Sequence, residues 1–321
     1  MIQEIKCKYP HKSLSRICRL FGITRQAYYQ HSWESESLDT AHLLILKEVN
    51  LIRQKHKRMG TRKLYELLEH FMLLHGIKMG RDALFDLLAA NTMLVRKRKR
   101  RIQTTYSSHW LRKYPNLIRE FIPKSINQLW VSDITYWKIN ANTHLYISLI
   151  TDAYSRKIVG YNVAETMEAV QSIQALQMAL ASLDGDAKPL QLTHHSDRGI
   201  QYCSAKYVKL LQDKGIKISM TENGDPLENA IAERVNGIIK EEYLDYYTTT
   251  CLKEAKNNLV NAITLYNNER PHMSIENFTP NQLHNNPNQI KKRLWKNYYK
   301  KLNNFNQNYP VNLLQDLSNN L

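Results

Sequence analysis

Three acidic residues occupy positions where an acid needs a reason. Asp133 lies within QLWVSDITYWKI (residues 128–139), where Trp130, Val131, Ile134, Tyr136 and Trp137 suit a buried, pleated strand. A carboxylate is almost never buried in such a setting unless it is paired or binds a metal. Asp197 ends the run LQLTHHSD, immediately before Arg198-Gly199, where a chain leaves a sheet edge toward a cleft. Glu233 sits midway along ENAIAERVNGIIKEEY, with 35 residues between it and Asp197. Two strand acids and one helix acid can converge on a pair of divalent cations, because a hard ion such as Mg²⁺ takes carboxylate oxygens. Two such ions suit in-line displacement at phosphorus, one at the attacking oxygen and the other at the leaving oxygen.

The helix carrying Glu233 is expected from about Glu228 to Tyr243. At about 100° per residue, Asn229, Asn236 and Lys240 fall within about 60° of Glu233, while Ile231, Val235, Ile238 and Ile239 take the far side. The apolar face can pack on a sheet and leave one polar stripe. A merely solvated stripe explains that pattern equally well. If the stripe faces a site, Lys240 could hold a phosphate as a point charge.

The elements that must position these residues fall into zones. Residues 1–40 outline a helix-turn-helix, with SLSRICRLFG, a turn at Gly22, and ITRQAYYQHS capped by Thr24. Residues 41–105 are expected to form a second helical region: a long amphipathic helix, then RKLYELLEHFMLLHG capped by Thr61, then RDALFDLLAANTML after Gly80. A plain helical bundle accounts for these outlines as well. The region closes on a basic arm, Arg96, Lys97, Arg98, Lys99, Arg100 and Arg101, which would neutralise phosphates without reading sequence. Residues 118–245 change period. Three strand-like runs in a meander are followed by MEAVQSIQALQMALASL, LQLTHHSD, SAKYVKLLQDKG, IKISMT and the Glu233 helix, an α/β pattern of a mixed sheet flanked by helices. A helical extension (246–285) and a basic, Asn-rich tail (286–321) complete the chain.

Lys and Arg outnumber Asp and Glu by 45 to 29, a formal net charge of +16 that attracts polyanions, nucleic acid foremost. The four cysteines lie far apart and show no zinc-ligand spacing, so they read as reduced thiols. No run is long and apolar enough to span a bilayer, and MIQEIKCKYPHK has no apolar signal core, so a cytoplasmic protein without a membrane partner is expected.

The blocks WVSDITYW, HHSDRGIQYCS and ENAIAERVNGIIKEEY resemble the three catalytic blocks of DDE transposases and retroviral integrases. The spacing of Asp197 and Glu233, with basic Lys240 seven positions on, is similar to their signature. TDAYSRKIVGY and YNNERPHMSIENFTPNQL resemble, more narrowly, the second-frame product of the bacterial insertion-sequence-three family. Segment 43–103 resembles its helix-turn-helix block, and the likeness covers about residues 10–285. It implies a ribonuclease H-like five-stranded core holding two Mg²⁺ or Mn²⁺ ions at Asp133, Asp197 and Glu233. It implies cleavage at the ends of a mobile element and transfer of the freed strand to target DNA. The helical regions would bind terminal inverted repeats, and Asn229, Asn236, Lys240 and the basic arm would contact DNA. A homo-oligomer on DNA, a fusion to an upstream-frame product, and a bacterial, nucleoid-associated location belong to the same implication. Glu228 stands where many relatives have Asp, and Arg234-Val235-Asn236 replaces a frequent aromatic pair. A catalytically inactive DNA-binding descendant and a structure-specific nuclease of the same fold are the alternatives.

Other polar residues have quieter readings. Asp152 is expected to serve a turn, Asp225 and Glu228 to face solvent or cap the helix, and His195 to be packed. Gly199 is expected to permit a sharp exit from the strand. Gln201 and Tyr202 could touch DNA, and Arg270 and His272 could dock the C-terminal segment.

Overall fold

The structure is a computed structural model that describes residues 1–95, 109–139, 143–183, 191–222 and 228–290, with backbone alone for 31–37. The basic arm from Arg96 to Arg101, Asp225 and most of the tail lie outside the described residues. The chain divides into two compact units, the first Met1–Lys55 with Met59–Arg96, the second His56–Arg58 with Lys97–Leu321.

The first unit is helical: α1 (Ile2–Lys8), α2 (Leu14–Leu20), α3 (Arg25–Lys55), α4 (Thr61–Leu74) and α5 (Arg81–Ala90). Gly22 makes the expected turn with φ of 69°, a backbone region where glycine carries no Cβ penalty. The Thr24 hydroxyl accepts from the Ala27 N–H at 3.0 Å, as an N-cap should. Two expectations change. Helix α3 runs unbroken through residue 40, because no Gly or Pro interrupts residues 25–55. Helix α4 is capped by Gly60, so Thr61 is its first residue and its side chain is buried rather than capping. Ile45 and Val49 of α3, Leu64, Leu68 and Met72 of α4, and Leu84 and Leu88 of α5 share one core.

The second unit is built on five strands: β1 (Leu129–Lys138), β2 (His144–Asp152), β3 (Ile158–Ala164), β4 (Thr193–Ser196) and β5 (Lys217–Met220). Their order is β3-β2-β1-β4-β5. The meander β1-β2-β3 is antiparallel, and β4 and β5 add parallel to β1. This is the ribonuclease H-like mixed sheet that the sequence implied. Helices α6 (Ala169–Ala181) and α7 (Ala205–Asp213) connect β3 to β4 and β4 to β5; α8 (Ala230–Ile238), α9 (Leu252–Asn268) and α10 (Pro280–Asn285) follow.

Both faces of β1 are covered, which is why its apolar residues do not alternate with polar ones. Trp130 packs with Ala175, Leu176 and Ala179 of α6 and Tyr207 and Leu211 of α7. Trp137, with Leu145, Ile147 and Leu149 of β2, packs on Val235 and Ile238 of α8 and on Leu259 and Ile263 of α9. The α9 segment, read from sequence as an extension after residue 245, therefore closes the same core; each buried Leu or Ile contributes about 1.5–3 kcal/mol. Gly160 of β3 is needed for close approach, since a Cβ there would collide with the Ala175 carbonyl of α6.

Candidate active site

Sheet register brings the first two acids together. Val131 of β1 is level with His195 of β4 in the parallel pair. Continuing two residues along each chain sets Asp133 beside Asp197, which lies just past the end of β4. Period-two alternation puts Asp133 and Thr135 on the α8 face of the sheet. There the Asn236 amide donates to Asp133 Oδ2 at 2.8 Å, and Lys240 Nζ donates to Thr135 Oγ1 at 3.2 Å. Asp133 is 6 % exposed, Asp197 is half-buried, and Glu233 is exposed on α8.

The electrostatics tie the three together. Burial, and next the charge of Asp197, push the Asp133 carboxyl up to about 8; Asn236 opposes this, Glu233 adds to it, and the Ile134 N–H opposes it. Burial also raises Asp197, against the Gly199 N–H and the nearby His109. Among the described residues no three His, Cys, Asp or Glu side chains form a group that could hold an ion as they stand. The donor chemistry nevertheless fits a hard divalent cation: the acids are oxygen donors whose mutual repulsion a cation would relieve.

The solvated-stripe reading of α8 does not hold for its asparagines. Asn229 and Asn236 are both buried. The Asn229 amide donates to the Ser132 carbonyl at 2.9 Å, so both amides brace β1 instead of facing outward as DNA contacts. Their Oδ1 atoms have no hydrogen-bond partner among the described residues. The expected helix over 228–243 also changes. It is α-helical only to Ile238, then makes a π-helical turn, Ile239–Tyr243, and a 3₁₀ turn, Leu244–Tyr246. A wider turn invalidates the 100° count beyond Ile238, yet Lys240 still reaches the β1 face that carries Asp133.

Other readings are sharpened or corrected. Asp152 serves a turn: it accepts from Ser155 N at 2.7 Å, Ser155 Oγ at 2.8 Å and Asn127 N at 2.8 Å. Glu228 is buried, not solvent-facing; it accepts from Glu222 N at 2.6 Å and lies 3.8 Å from Arg119. His195 is packed, with Nδ1 2.8 Å from Ser219 Oγ, and burial lowers it to about 4. His194, between Ser132 Oγ and Tyr207 OH, is lowered to about 3 by burial and then by His195. Both rings are neutral supports. Gln201 and Tyr202 are buried rather than presented to DNA.

At Gly199 the constraint is proximity and not φ. A Cβ would stand 3.0 Å from Asp197 Oδ1, and the Gly199 N–H donates to that oxygen at 3.0 Å. Arg270 docks internally: it is 1 % exposed, grips Glu242 with two bonds of 2.8 Å, and lies 2.9 Å from His272 Nε2. Sequence reasoning passed over His109, whose Nε2 donates to the Arg198 carbonyl at 2.7 Å beside Asp197. It lies in a segment without periodicity, so no local pattern marks it.

A mixed sheet in this order, with acids on β1 and just after β4 and a third on the helix that follows β5, defines an integrase-type core. The integrase core domain family matches residues 123–226, and a second integrase core family matches residues 214–280. A 31 kDa protein of the insertion element IS600 of Shigella sonnei is 34% identical over 270 residues, covering 82% of this chain and 96% of that one. The transposase of IS629, also from Shigella sonnei, is 30% identical over 220 residues, 68% of this chain and 70% of its own. The transposase InsF of IS3fB from Escherichia coli K12 is 24% identical over 275 residues, 85% of this chain and 94% of its own. The chain belongs to the insertion-sequence-three family of bacterial DDE transposases. Catalytic domains of this integrase type use divalent metal ions. Among the described residues no helix is long and apolar enough to cross a membrane.

Proposed function

We propose that Asp133, Asp197 and Glu233 are the catalytic acids of this transposase and that they hold a pair of divalent metal ions, Mg²⁺ or Mn²⁺, since three acids offer oxygens enough for two ions. The observation that carries the reading is the parallel pairing of β1 and β4, which sets two acids side by side with a third in charge reach. Divalent ions held by these acids would supply Lewis acidity for the attacking and leaving oxygens at phosphorus. The chain's own residues supply position and charge. The Asn236 amide orients one oxygen of Asp133, the Gly199 N–H orients one of Asp197, and β1 gives the first acid a rigid base. Lys240, beside Thr135, places a cation on the same face for a DNA phosphate.

The reaction is phosphodiester cleavage at the ends of the insertion sequence. Water adds across the phosphodiester and frees a 3′-hydroxyl. That hydroxyl then attacks a phosphodiester of target DNA, forming one P–O bond as another breaks. The helical unit and the arm Arg96–Arg101 would hold the terminal inverted repeats, with copies of the chain assembling on the paired ends. An upstream-frame product fused to the chain or assisting it, and residence on the bacterial nucleoid, accord with the same reading.

The test uses the element's end as a labelled duplex with Mg²⁺ or Mn²⁺. Asp133→Asn, Asp197→Asn and Glu233→Gln should each lower cleavage by about 10³-fold or more while DNA binding persists. Full cleavage by any one of them would remove that acid from the site. Cleavage without joined strand-transfer products would make the protein a nuclease.

A further inference from the structure

Trp110 is 91 % exposed, more than any other large hydrophobic side chain among the described residues. An indole presented to water on an anchored segment offers a flat apolar ring with a polar N–H to a partner. The segment is held on both sides of Trp110. His109 is tied to the Arg198 carbonyl at 2.7 Å, while Leu111 and Tyr114 pack against the core under α6 and α7. Further on, Met220 N donates to the Pro115 carbonyl at 3.3 Å and Leu117 N to Ser219 Oγ at 2.9 Å, which fastens the segment along β5. The backbone that carries Trp110 is thus anchored through His109 to Arg198, the residue that follows Asp197.

Cationic residues follow it closely in the chain. Arg112 and Lys113 are exposed, and the Arg112 guanidinium lies 5.2 Å from the Tyr114 ring centre. Lys113 and Arg198 both stand close enough to Cys203 to oppose the rise in its thiol that burial and Asp197 cause. Arg198 Nε and His109 Nδ1 are shielded from water without a hydrogen-bond partner among the described residues. An exposed aromatic ring on a segment that also carries arginine and lysine suits a nucleic-acid strand, whose bases can stack on the ring while its phosphates meet the cations.

We propose that Trp110, with Arg112, Lys113 and Arg198, forms a subsite that stacks an unpaired DNA base and holds its neighbouring phosphates beside Asp197. The inference rests on the transposase reading but goes past it, naming a single-stranded element of the bound DNA and the residue that receives it. Duplex bases are already stacked on each other, so the plate serves a base that has left the helix next to the cleaved phosphate. Arg112, Lys113 and Arg198 hold the backbone of that strand without selecting its sequence.

The test is fluorescence anisotropy with the full-length protein and three labelled DNAs. These are a blunt duplex, the same duplex with a short single-stranded overhang, and the overhang built from abasic sites. Wild-type protein should bind the normal overhang best. Trp110→Ala should lose about tenfold in affinity for it, with no loss on the blunt or abasic DNA and no change in melting temperature. Trp110→Phe should keep most of the affinity. Equal affinity of wild-type and Trp110→Ala protein for the overhang would overturn the subsite and leave the transposase reading standing. An equal loss on all three DNAs with a smaller oligomer in light scattering would also overturn it, making Trp110 a contact between copies. Failure of the wild-type protein to bind any of the DNAs would overturn the transposase reading as well.

Discussion

Two buried aspartates sit on neighbouring strands of one sheet and live under opposite regimes. Burial is the first influence on both and raises both. At Asp152 the next influences are hydrogen bonds from Ser155 and Asn127, then Arg156, and all of them favour the carboxylate. At Asp133 the second influence is another carboxylate, Asp197, and it adds to the rise. The region around Asp152 is a finished turn that satisfies its acid from within the chain. The region around Asp133 gathers like charges that a retained proton or an added metal ion would reconcile. That difference separates an acid that holds the fold from one that is available for chemistry. Glu242, gripped by Arg270, belongs with Asp152.

The comparison can be broken most severely at the internally paired acids. Arg270→Met leaves Glu242 with its bidentate partner gone and should cost about 3–5 kcal/mol in urea unfolding. The double variant Arg270→Met/Glu242→Leu should recover much of that loss, because no unpaired charge remains. Asp152→Ala strips three donors of their acceptor and should cost about 2–3 kcal/mol in the same measurement. A neutral result at either position would erase the distinction.

Asp133 should behave in the opposite sense. Its folded carboxyl is raised to about 8, so between about pH 4 and pH 8 the folded chain retains a proton that the unfolded chain has released. Its contribution therefore favours the fold at low pH and is lost as pH rises through that window. Asp133→Asn should flatten this dependence and stabilise the protein at pH 8 by roughly 1–3 kcal/mol, measured by urea unfolding with chelator present. Destabilisation at pH 8 would place Asp133 with Asp152. The smallest effect is expected at Gly199. Gly199→Ala should cost about 1 kcal/mol of stability, while the shift it forces on Asp197 should lower strand cleavage in a metal-dependent nicking assay.

Much of the fold was legible locally. The strand runs and the α6, α7 and α8 helices follow from apolar spacing, and all are present. The turn role of Asp152 was legible because its neighbours Ser155 and Arg156 are turn chemistry. The boundary at residue 40 was not, since turn and breaker residues mark helix ends and α3 has none there. The π-helical turn after Ile238 was also hidden. It coincides with packing of Ile239, Tyr243 and Leu244 into the core with α9, a long-range contact that no 100° wheel contains. At the site, the three acids were legible as misfits, whereas the inward turn of Asn229 and Asn236 was not. A polar residue on a helix reads as solvated until the strand it braces is known.

The sequence by itself determined which side chains could do chemistry: Asp133 on an apolar strand, Asp197 at a strand end, Glu233 on a helix with Lys240 following. Only the tertiary structure decided that they share one neighbourhood. Strand register between β1 and β4 joins residues more than sixty positions apart, and the packing of α8 on β1 turns Asn236 onto Asp133. Those pairings are settled by the shared core and by hydrogen bonding across the sheet, which no local pattern encodes.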